Sequence, residues 1–569
     1  MKDIGLFEEW PYRVPSLERT KKKLAEFTNE FESAESEEEA FYIYKKLTKF
    51  MDKLQDDITH VQVLYTLDTK NKKYEKGQNK LNEILPLIEV ENQRFIKAFV
   101  SSKYRPYLEE KLGSFLFKMY EYSLKGFDER VVEEAQKEAD LTTKYGACIA
   151  DTKIEFRGET YNLPKMAKFL SDPDRETRQE ASKLYYGALE EKKDTLEDIY
   201  DQLVHVRDQM AKKLGYKNYV ELGYIRMGRY DYNEEMVAKY REQIHDVVTP
   251  LCQKIVKNQL KRLEIKKPDL NDLNLHFKDG NPTPIGTTED KVNAAKEMYS
   301  KLSPETSYYF NYMVDHHLLF LEAKEGKQSG GYMTNFPVHK CPIIFSNFNG
   351  TSGDVDVLTH EFGHSFQYFM ARNIKVPEYR MPTAEACEID SMSMEFFAHP
   401  YMDLFFKNPE RYRYTHLTDA IMFLPYGVTV DEFQHWAYEN PDATKEERDA
   451  KWHNLELKYT PWKVQLEQEI PYLYFGHRWL TQAHIFENPF YYIDYTLAQV
   501  LAFEFYNLDR KNHEKAWKKY IKLCKMGGKY PFCELVRKDG MFVPFDDGVL
   551  KKTVKPLVKV LKESHPENL

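Results

Sequence analysis

The chain has 569 residues, of which 42% are hydrophobic and 30% are charged, and its formal net charge is −9. This balance is typical of a folded globular protein and argues against a disordered chain. Nucleic acid requires a concentrated positive face, and the basic residues are scattered. No run approaches the roughly 18 apolar residues of a membrane helix. We therefore expect neither a nucleic-acid partner nor a membrane segment.

The N-terminal residues and the cysteines bear on where the protein works. Residues 1–10 lack the apolar core of a secretory signal. The six cysteines show no CxxC spacing, which favours free thiols over a disulfide framework or a cysteine zinc site. We therefore expect a cytoplasmic protein with reduced thiols. The sequence does not indicate an oligomeric state.

The spacing of apolar residues along the chain predicts a mostly α-helical protein. Apolar residues recur with helical spacing over residues 44–61 and again over residues 196–214, where Gly215 ends the pattern. Residues 154–162 predict a short hairpin that turns at Gly158. A later apolar stretch, interrupted by a proline, is too short for a membrane and is interpreted as core.

The clearest β signals lie at residues 330–334 and 342–348. They predict two strands joined by a turn near residues 337–342. An edge strand here can bind an extended peptide through main-chain hydrogen bonds, and Gly330 and Gly331 leave room for the second backbone. A small structural sheet with ordinary turn glycines is the alternative.

The segment that follows contains HEFGH, in which His360 and His364 flank Glu361. On a helix, two histidines four residues apart share a face and can bind one metal ion, while the glutamate can deprotonate a water bound to that ion. Zn²⁺ suits such ligands and keeps an open position in catalytic sites. A helix is predicted because residues 355–371 contain no proline. A chance match to the motif is the alternative.

A catalytic zinc usually has three protein ligands, so a third is expected downstream. Residues 385–395 predict a helix that begins near Thr383, on which Glu388 and Glu395 share one face. Buried carboxylates need partners, and we predict Glu388 as the third ligand and Glu395 as the acceptor that orients a histidine ring. Glu385, one turn earlier, is the rival ligand. A solvated acidic face is the alternative to any ligand role.

These motifs resemble a known family. The run at residues 347–364, followed by Glu-x-x-Ser-Met-x-x-Glu-Phe-Phe at residues 388–397, is similar to the oligoendopeptidase F branch of the thimet-oligopeptidase-like zinc metallopeptidases. The resemblance is strong from about residue 279 to about residue 499. It implies a large, mostly α, multi-helix fold with a small antiparallel sheet beside the zinc helix and a deep substrate channel.

The resemblance also implies an activity. We expect a zinc metalloendopeptidase that hydrolyses internal bonds of short peptides, with one Zn²⁺ per chain and Glu361 activating the bound water. The length limit is inherited from the family. We predict a helical N-terminal region at residues 1–195 and a catalytic domain at residues 196–569. Asp354 is expected to support the metal ligands.

Residues 484–495 resemble the family's stretch of one histidine and several tyrosines, which closes over the substrate. A protonated phenol or an imidazole can donate to an oxyanion, and we predict His484 and Tyr495 as these donors. The predicted substrate-binding residues are Gly330, Gly331, Tyr332, Tyr491 and Tyr492. Ordinary packing is the alternative, because the chain contains 41 tyrosines.

Two other functions stay in view. An exopeptidase would need a group, commonly an arginine, that grips a terminal carboxylate near the site. A helical peptide-binding protein with a structural metal would bind zinc without hydrolysis, which fits poorly with an intact Glu361.

Overall fold

The computed structural model describes residues 3–569, which are mostly helical. The N-terminal quarter is a set of six helices, and the first three begin after Ser16, Ser36 and Asn71, whose side chains accept a backbone amide of the first turn. They are α1 (Leu17–Glu32), α2 (Glu37–Leu67), α3 (Lys72–Val100), α4 (Arg105–Leu112), α5 (Ser114–Gly126) and α6 (Val132–Ala150). Helix α2 contains the apolar stripe that the sequence predicts at residues 44–61.

Eight helices form the middle of the chain. They are α7 (Leu163–Met166), α8 (Arg175–Glu190), α9 (Lys193–Leu214), α10 (Tyr219–Arg226), α11 (Glu234–Val247), α12 (Thr249–Leu263), α13 (Thr288–Leu302) and α14 (Pro304–Asp315). Helix α9 ends where predicted, because Gly215 adopts a left-handed backbone with φ 93°.

Eleven helices follow in the remainder of the described chain. They are α15 (Gly353–Ala371), α16 (Ala384–Ala398), α17 (Pro409–Glu439), α18 (Lys445–Tyr459), α19 (Pro461–Val464), α20 (Pro471–Tyr474), α21 (Ala483–Glu487), α22 (Tyr492–Asp509), α23 (His513–Met526), α24 (Phe532–Lys538) and α25 (Val549–Glu563). The two helices predicted around HEFGH and Glu388 are α15 and α16. Thr383 precedes α16 as expected, but its hydroxyl makes no capping hydrogen bond.

Short 3₁₀ segments connect several of these helices. They are Phe7–Glu9, Glu129–Val131, Ala167–Ser171, Leu270–Asn274, Pro377–Tyr379, His399–Leu404 and His477–Thr481. No helix within residues 3–569 combines the length and apolar character needed to cross a membrane.

The apolar stretch that the sequence analysis interprets as core, residues 417–430, lies within α17, and this helix continues through Pro425. A proline in a helix leaves the carbonyl four residues earlier without its amide donor. Here that carbonyl belongs to Ile421, and the thiol of Cys252 donates to it with a sulfur–oxygen distance of 3.7 Å. All six cysteines are free, as predicted.

Five strands form two small sheets: β1 (Ile154–Phe156), β2 (Glu159–Tyr161), β3 (Leu319–Glu322), β4 (Tyr332–Phe336) and β5 (Cys341–Phe348). The hairpin β1–β2 and the antiparallel pair β4–β5 are both predicted by the sequence. In the larger sheet β5 is central, and β3 joins it in parallel on the side opposite β4. The sequence analysis missed β3. Strand β4 is therefore an edge strand.

Three apolar cores lie beneath these elements, and the smallest packs the β1–β2 hairpin against α7, α8 and α20. A second joins α1–α5 and includes residues such as Leu24, Phe95 and Phe117, with Val376 and Tyr379 from later in the chain. The largest core extends from α6 and α9 through the three-stranded sheet to α25. The predicted division at residues 195 and 196 stays a prediction.

Helices α15 and α16 pack unusually closely, and Gly363 makes this contact possible. A Cβ atom on Gly363 would lie 2.5 Å from the Ser391 Cα and 2.7 Å from the Asp390 carbonyl oxygen. Both are backbone atoms of α16 and cannot rotate away. The spacing of the two helices therefore depends on a glycine at this position.

We expect Gly363→Ala to destabilise the protein by about 1–3 kcal/mol, because the added methyl must push α16 away. Urea unfolding would measure this change. Gly187→Ala is the matched control, since Gly187 is an exposed helical residue on α8 whose Cβ would meet nothing within 4 Å. That control should gain up to about 1 kcal/mol from helix propensity. Equal stability in the two variants would contradict the packing argument.

Candidate active site and metal centre

Helices α15 and α16 bring three metal-binding side chains together. Nε2 of His360 lies 3.1 Å from Oε2 of Glu388, and Nε2 of His364 lies 3.3 Å from the same oxygen. The three ligand atoms lie within 4.8 Å of one another. The four-residue spacing on α15 places both rings on one face, and α16 supplies the carboxylate opposite them.

Neighbouring hydroxyls hold the Glu388 carboxylate in place. Ser391 donates to Oε2 at 3.0 Å, and the Tyr491 hydroxyl donates to Oε1. Burial opposes ionisation of Glu388, but His364 and His360 outweigh it and hold the pKa of this carboxyl well below its usual range. Glu388 is thus an anion poised between two imidazoles.

A hydrogen-bonded chain behind the histidines fixes the orientation of His360. Its Nδ1 lies 2.6 Å from Oε1 of Glu395, whose other oxygen lies 2.7 Å from Nε2 of His416. His399 Nε2 in turn lies 2.9 Å from His416 Nδ1. With Nδ1 engaged by a carboxylate, Nε2 of His360 is the nitrogen left to face Glu388.

Glu361 is buried beside this group, with 6% of its surface exposed. Its Oε2 has no hydrogen-bond partner among residues 3–569. Burial raises the pKa of this carboxyl above its usual value. A Cβ on Gly331 would lie 3.8 Å from Glu361 Oε1, so the glycine end of β4 borders the same space. A buried carboxylate oxygen without a partner is a candidate base.

The rival ligand Glu385 is engaged elsewhere. Its Oε2 lies 3.1 Å from the Arg229 guanidinium, which also lies 2.5 Å from Asp494 and donates to the Phe490 carbonyl at 2.8 Å. Arg229 is 4% exposed. Glu385 therefore belongs to a separate ion-pair cluster, which links α16 to the start of α22. This geometry favours Glu388 over Glu385 as the ligand.

Asp354 does not lie where the sequence analysis put it. Its carboxylate accepts the Asn349 and Gly350 amides at 2.8 and 3.0 Å, and Lys291 lies 3.2 Å away. These contacts tie the β5–α15 loop to α13. Acids favour the first turn of a helix, so Asp354 supports the start of α15 rather than a ligand ring.

The histidine and tyrosines of residues 484–495 cluster as predicted. The ring centroids of Tyr491, Tyr492 and Tyr495 lie 5.7, 5.0 and 5.4 Å from that of His484. Nε2 of His484 lies 3.2 Å from the Tyr495 hydroxyl. Tyr491 reaches Glu388, so this cluster adjoins the metal-binding residues.

Burial sets the protonation states of the cluster. It lowers the pKa of His484 to about 4, so the imidazole is neutral at neutral pH. The Gln482 amide nitrogen lies 2.9 Å from Nδ1, and the Tyr426 hydroxyl holds the amide oxygen at 2.8 Å. Nδ1 therefore accepts, and Nε2 carries the hydrogen. Burial and the Glu388 carboxylate raise the pKa of Tyr495, which keeps its proton.

One cavity is lined by residues of this site, and a second, larger cavity lies along β4. A cavity of about 400 Å³ is bordered by Glu395, His416, His484 and Tyr495. A channel of about 1170 Å³ is bordered by α2, α3, α6 and the outer residues of β4. Tyr332 lines this channel, stacked on Phe345 with its hydroxyl 2.6 Å from Thr66. Gly330 has φ 96° and open space where a Cβ would be.

The sequence analysis did not predict three residues that contact side chains of the site. His416 contacts Glu395, Arg229 contacts Glu385, and Gln482 contacts His484. None belongs to a motif with fixed spacing. Tyr491, one of the predicted substrate-binding residues, donates its hydroxyl to Glu388, and its role toward substrate stays a prediction.

Comparison with protein families covers most of the chain. The description "Peptidase family M3" matches residues 168–279 and 310–554, and "Peptidase M3 N-terminal domain" matches residues 7–127. The chain belongs to peptidase family M3. The protein is accordingly a metalloendopeptidase, and the predicted resemblance to the oligoendopeptidase F branch is confirmed.

Solved structures of this peptidase's relatives share its fold. PZ peptidase A with inhibitor 2 is 43% identical, with a TM-score of 0.97 and coverage of 99% of this chain and 100% of the other. A Bacillus anthracis str. Ames protein assigned as an oligoendopeptidase F is 40% identical, with a TM-score of 0.93 and coverage of 100% of each chain. Oligopeptidase PepF of Bacillus subtilis (strain 168) is 21% identical over 572 residues, covering 93% of this chain and 80% of PepF.

We expect Glu395→Gln to weaken metal binding by about 10- to 100-fold, because an amide cannot accept hydrogen bonds from both His360 and His416. Competition with a chelator would measure the affinity. Glu410→Gln is the control, since Glu410 is an exposed carboxylate on α17 that pairs only with Arg413 among the described residues. Unchanged affinity in Glu395→Gln would remove Glu395 from the support of the ligands.

Proposed function

We propose that this peptidase is a zinc-dependent oligoendopeptidase that hydrolyses internal bonds of short peptides. The observation that carries the proposal is the convergence of His360, His364 and Glu388 beside the unpartnered carboxylate oxygen of Glu361. The M3 family membership supports peptide hydrolysis. The burial of the site supports the restriction to short substrates.

The residues present fit a catalytic zinc ion. Two imidazole nitrogens and one carboxylate oxygen are a common catalytic donor set. Tetrahedral bonds of about 2.0–2.2 Å separate ligand atoms by roughly 3.3–3.6 Å, close to the 3.1 and 3.3 Å between the imidazoles and Glu388. Bound zinc would supply Lewis-acid polarisation of the scissile carbonyl and a lowered pKa for water.

Glu361 is proposed as the general base. Its free carboxylate oxygen takes a proton from the attacking water and returns that proton to the leaving amide nitrogen. Burial favours this role, because it raises the pKa of the carboxyl toward the range in which a group both accepts and releases a proton. The proton balance of amide hydrolysis is then complete.

Tyr495 and His484 are proposed to stabilise the oxyanion that develops at the scissile carbonyl. Both carry a hydrogen at neutral pH, on the phenol oxygen and on Nε2, and both are largely buried. Donors held in a water-poor site act strongly on a developing charge. Tyr491, by contrast, acts through Glu388.

The outer edge of β4 is proposed to bind the peptide backbone. Among the described residues, β4 pairs with β5 alone, and its other edge, which has no strand partner, faces the cavity between β4 and α2. Gly331 borders both this edge and Glu361, which would place a bound main chain beside the base. Such pairing depends little on side-chain identity. The structure of PZ peptidase A holds an inhibitor, which is consistent with a preformed peptide site in this fold.

A cytoplasmic location is part of the proposal. All six cysteines are free, which suits a reducing compartment.

An internally quenched peptide series of increasing length, blocked at both termini, tests the proposal. We expect cleavage of the shorter members, loss of activity with a chelator, recovery with zinc, and a ceiling on length. An exopeptidase would leave blocked peptides intact. A peptide-binding protein with a structural metal would bind zinc and cleave none of them.

We expect Glu361→Gln to lower kcat by about 10²- to 10⁴-fold, because the amide cannot accept the proton from water. Zinc content by elemental analysis should equal that of the unaltered enzyme, since Glu361 is not among the three converging ligands. A variant that loses zinc as well would make Glu361 a ligand rather than a base.

We expect Tyr495→Phe to lower kcat by about 10²- to 10³-fold with little change in KM, because the hydroxyl acts on charge that develops in the transition state. Steady-state kinetics on one quenched peptide would measure both constants. Tyr506→Phe is the matched control, since it removes a hydroxyl from the same helix where the ring packs on Phe396. A rise in KM alone would make Tyr495 a binding residue.

A further inference from the structure

We propose a second divalent-cation site, formed by Glu197, Asp449 and His477. Glu197 lies on α9, Asp449 on α18 and His477 at the start of the 3₁₀ segment His477–Thr481. One ligand atom from each side chain lies within 4.8 Å of the other two. Within residues 3–569, the only other trio of His, Cys, Asp or Glu side chains with this geometry is the active-site group. The two trios share no helix.

The charges of this cluster call for a cation. Glu197 and Asp449 are 2% and 8% exposed, so two carboxylates face each other out of water. Burial and the Asp449 carboxylate raise the pKa of Glu197. Oε1 of Glu197 is buried and has no hydrogen-bond partner in the described part of the chain. Buried like charges without a counter-charge are strongly destabilising.

Two lysines contact only one of the two oxygens of Glu197. Lys193 and Lys445 lie 3.4 and 3.9 Å from Oε2 of Glu197. This is the other oxygen of the carboxylate, not the unpartnered Oε1. Each lies closer to a surface acid, Lys193 at 3.0 Å from Asp194 and Lys445 at 2.5 Å from Asp198. Each lysine is therefore shared between Glu197 and a surface acid, and Oε1 of Glu197 has no hydrogen-bond partner in the described part of the chain.

The other two side chains are held in ligand-ready orientations. The Trp479 indole donates to Oδ1 of Asp449 at 2.9 Å, while Oδ2 lies 3.3 Å from Nε2 of His477. Gly476 has φ 88°, and a Cβ there would lie 2.4 Å from the Asp449 carbonyl oxygen. The glycine lets the chain approach α18 closely enough to place His477. Oriented outer groups of this kind are typical of metal ligands.

The donor set indicates the class of ion. Two carboxylate oxygens and one imidazole nitrogen suit Mn²⁺ or Zn²⁺ better than Ca²⁺, which prefers oxygen alone. Glu190, about half exposed, lies 3.5 Å from Nδ1 of His477, so the protein surface is nearest to the cluster on this side. A bound ion would connect α9 and α18 to the segment that leads into His484.

Metal stoichiometry tests this site apart from the active site. The chelator-treated full-length protein is titrated with MnCl₂, followed by calorimetry and by electron paramagnetic resonance of free Mn²⁺. We expect two equivalents for the unaltered chain, one for His364→Ala/Glu388→Ala, and none when Asp449→Asn is added. One equivalent for the unaltered chain and none for the double variant would overturn the proposal.

Thermal unfolding distinguishes a metal site from an ion pair of protonated His477 with the two acids. In the His364→Ala/Glu388→Ala background, Mn²⁺ should raise Tm, and Glu197→Gln should abolish that rise. Without metal, Glu197→Gln should leave Tm equal or higher, because it relieves repulsion with Asp449. A lower metal-free Tm, with no Mn²⁺ effect in the parent, would establish the ion pair and refute the site.

Discussion

A buried carboxylate between two imidazoles is the constraint on which the active site depends. Glu388 is 1% exposed, and such an anion is tolerated only where positive or polar partners surround it. His360 and His364 provide these partners only if α16 packs tightly on α15, which requires Gly363 at the crossing. The hydroxyls of Ser391 and Tyr491 complete the shell. The ionised state of Glu388 therefore depends both on the spacing of α15 and α16 and on the hydroxyl that Tyr491 provides.

Local patterns predict much of this arrangement. Helical periodicity and turn residues locate α2, α9, α15 and α16, and the four-residue histidine spacing locates one half of the metal centre. The choice between Glu388 and Glu385 lies beyond such patterns, because both stand on one helix a turn apart. It depends on Arg229, which approaches from the end of α10 and pairs with Glu385. Only the folded chain brings that arginine to α16.

The remaining errors have similar causes. Strand β3 is short and half-buried, so its residues 319–322 show no alternation, and its strand character comes from pairing with β5. Asp354 supports a loop and Lys291 instead of a histidine ring. In each case a contact with a residue distant in sequence determines a feature that the local sequence does not predict.

The position of β4 determines which chains can pair with its open edge. An open strand edge invites pairing with the strands of other proteins, and natural proteins protect such edges. Here α2 covers the approach, and Tyr332 of β4 is joined to Thr66 of that helix. The cavity between α2 and β4 leaves space beside this edge for an extended chain. If peptides bind at this edge, α2 would protect β4 from pairing with other proteins and would also favour short, unfolded substrates.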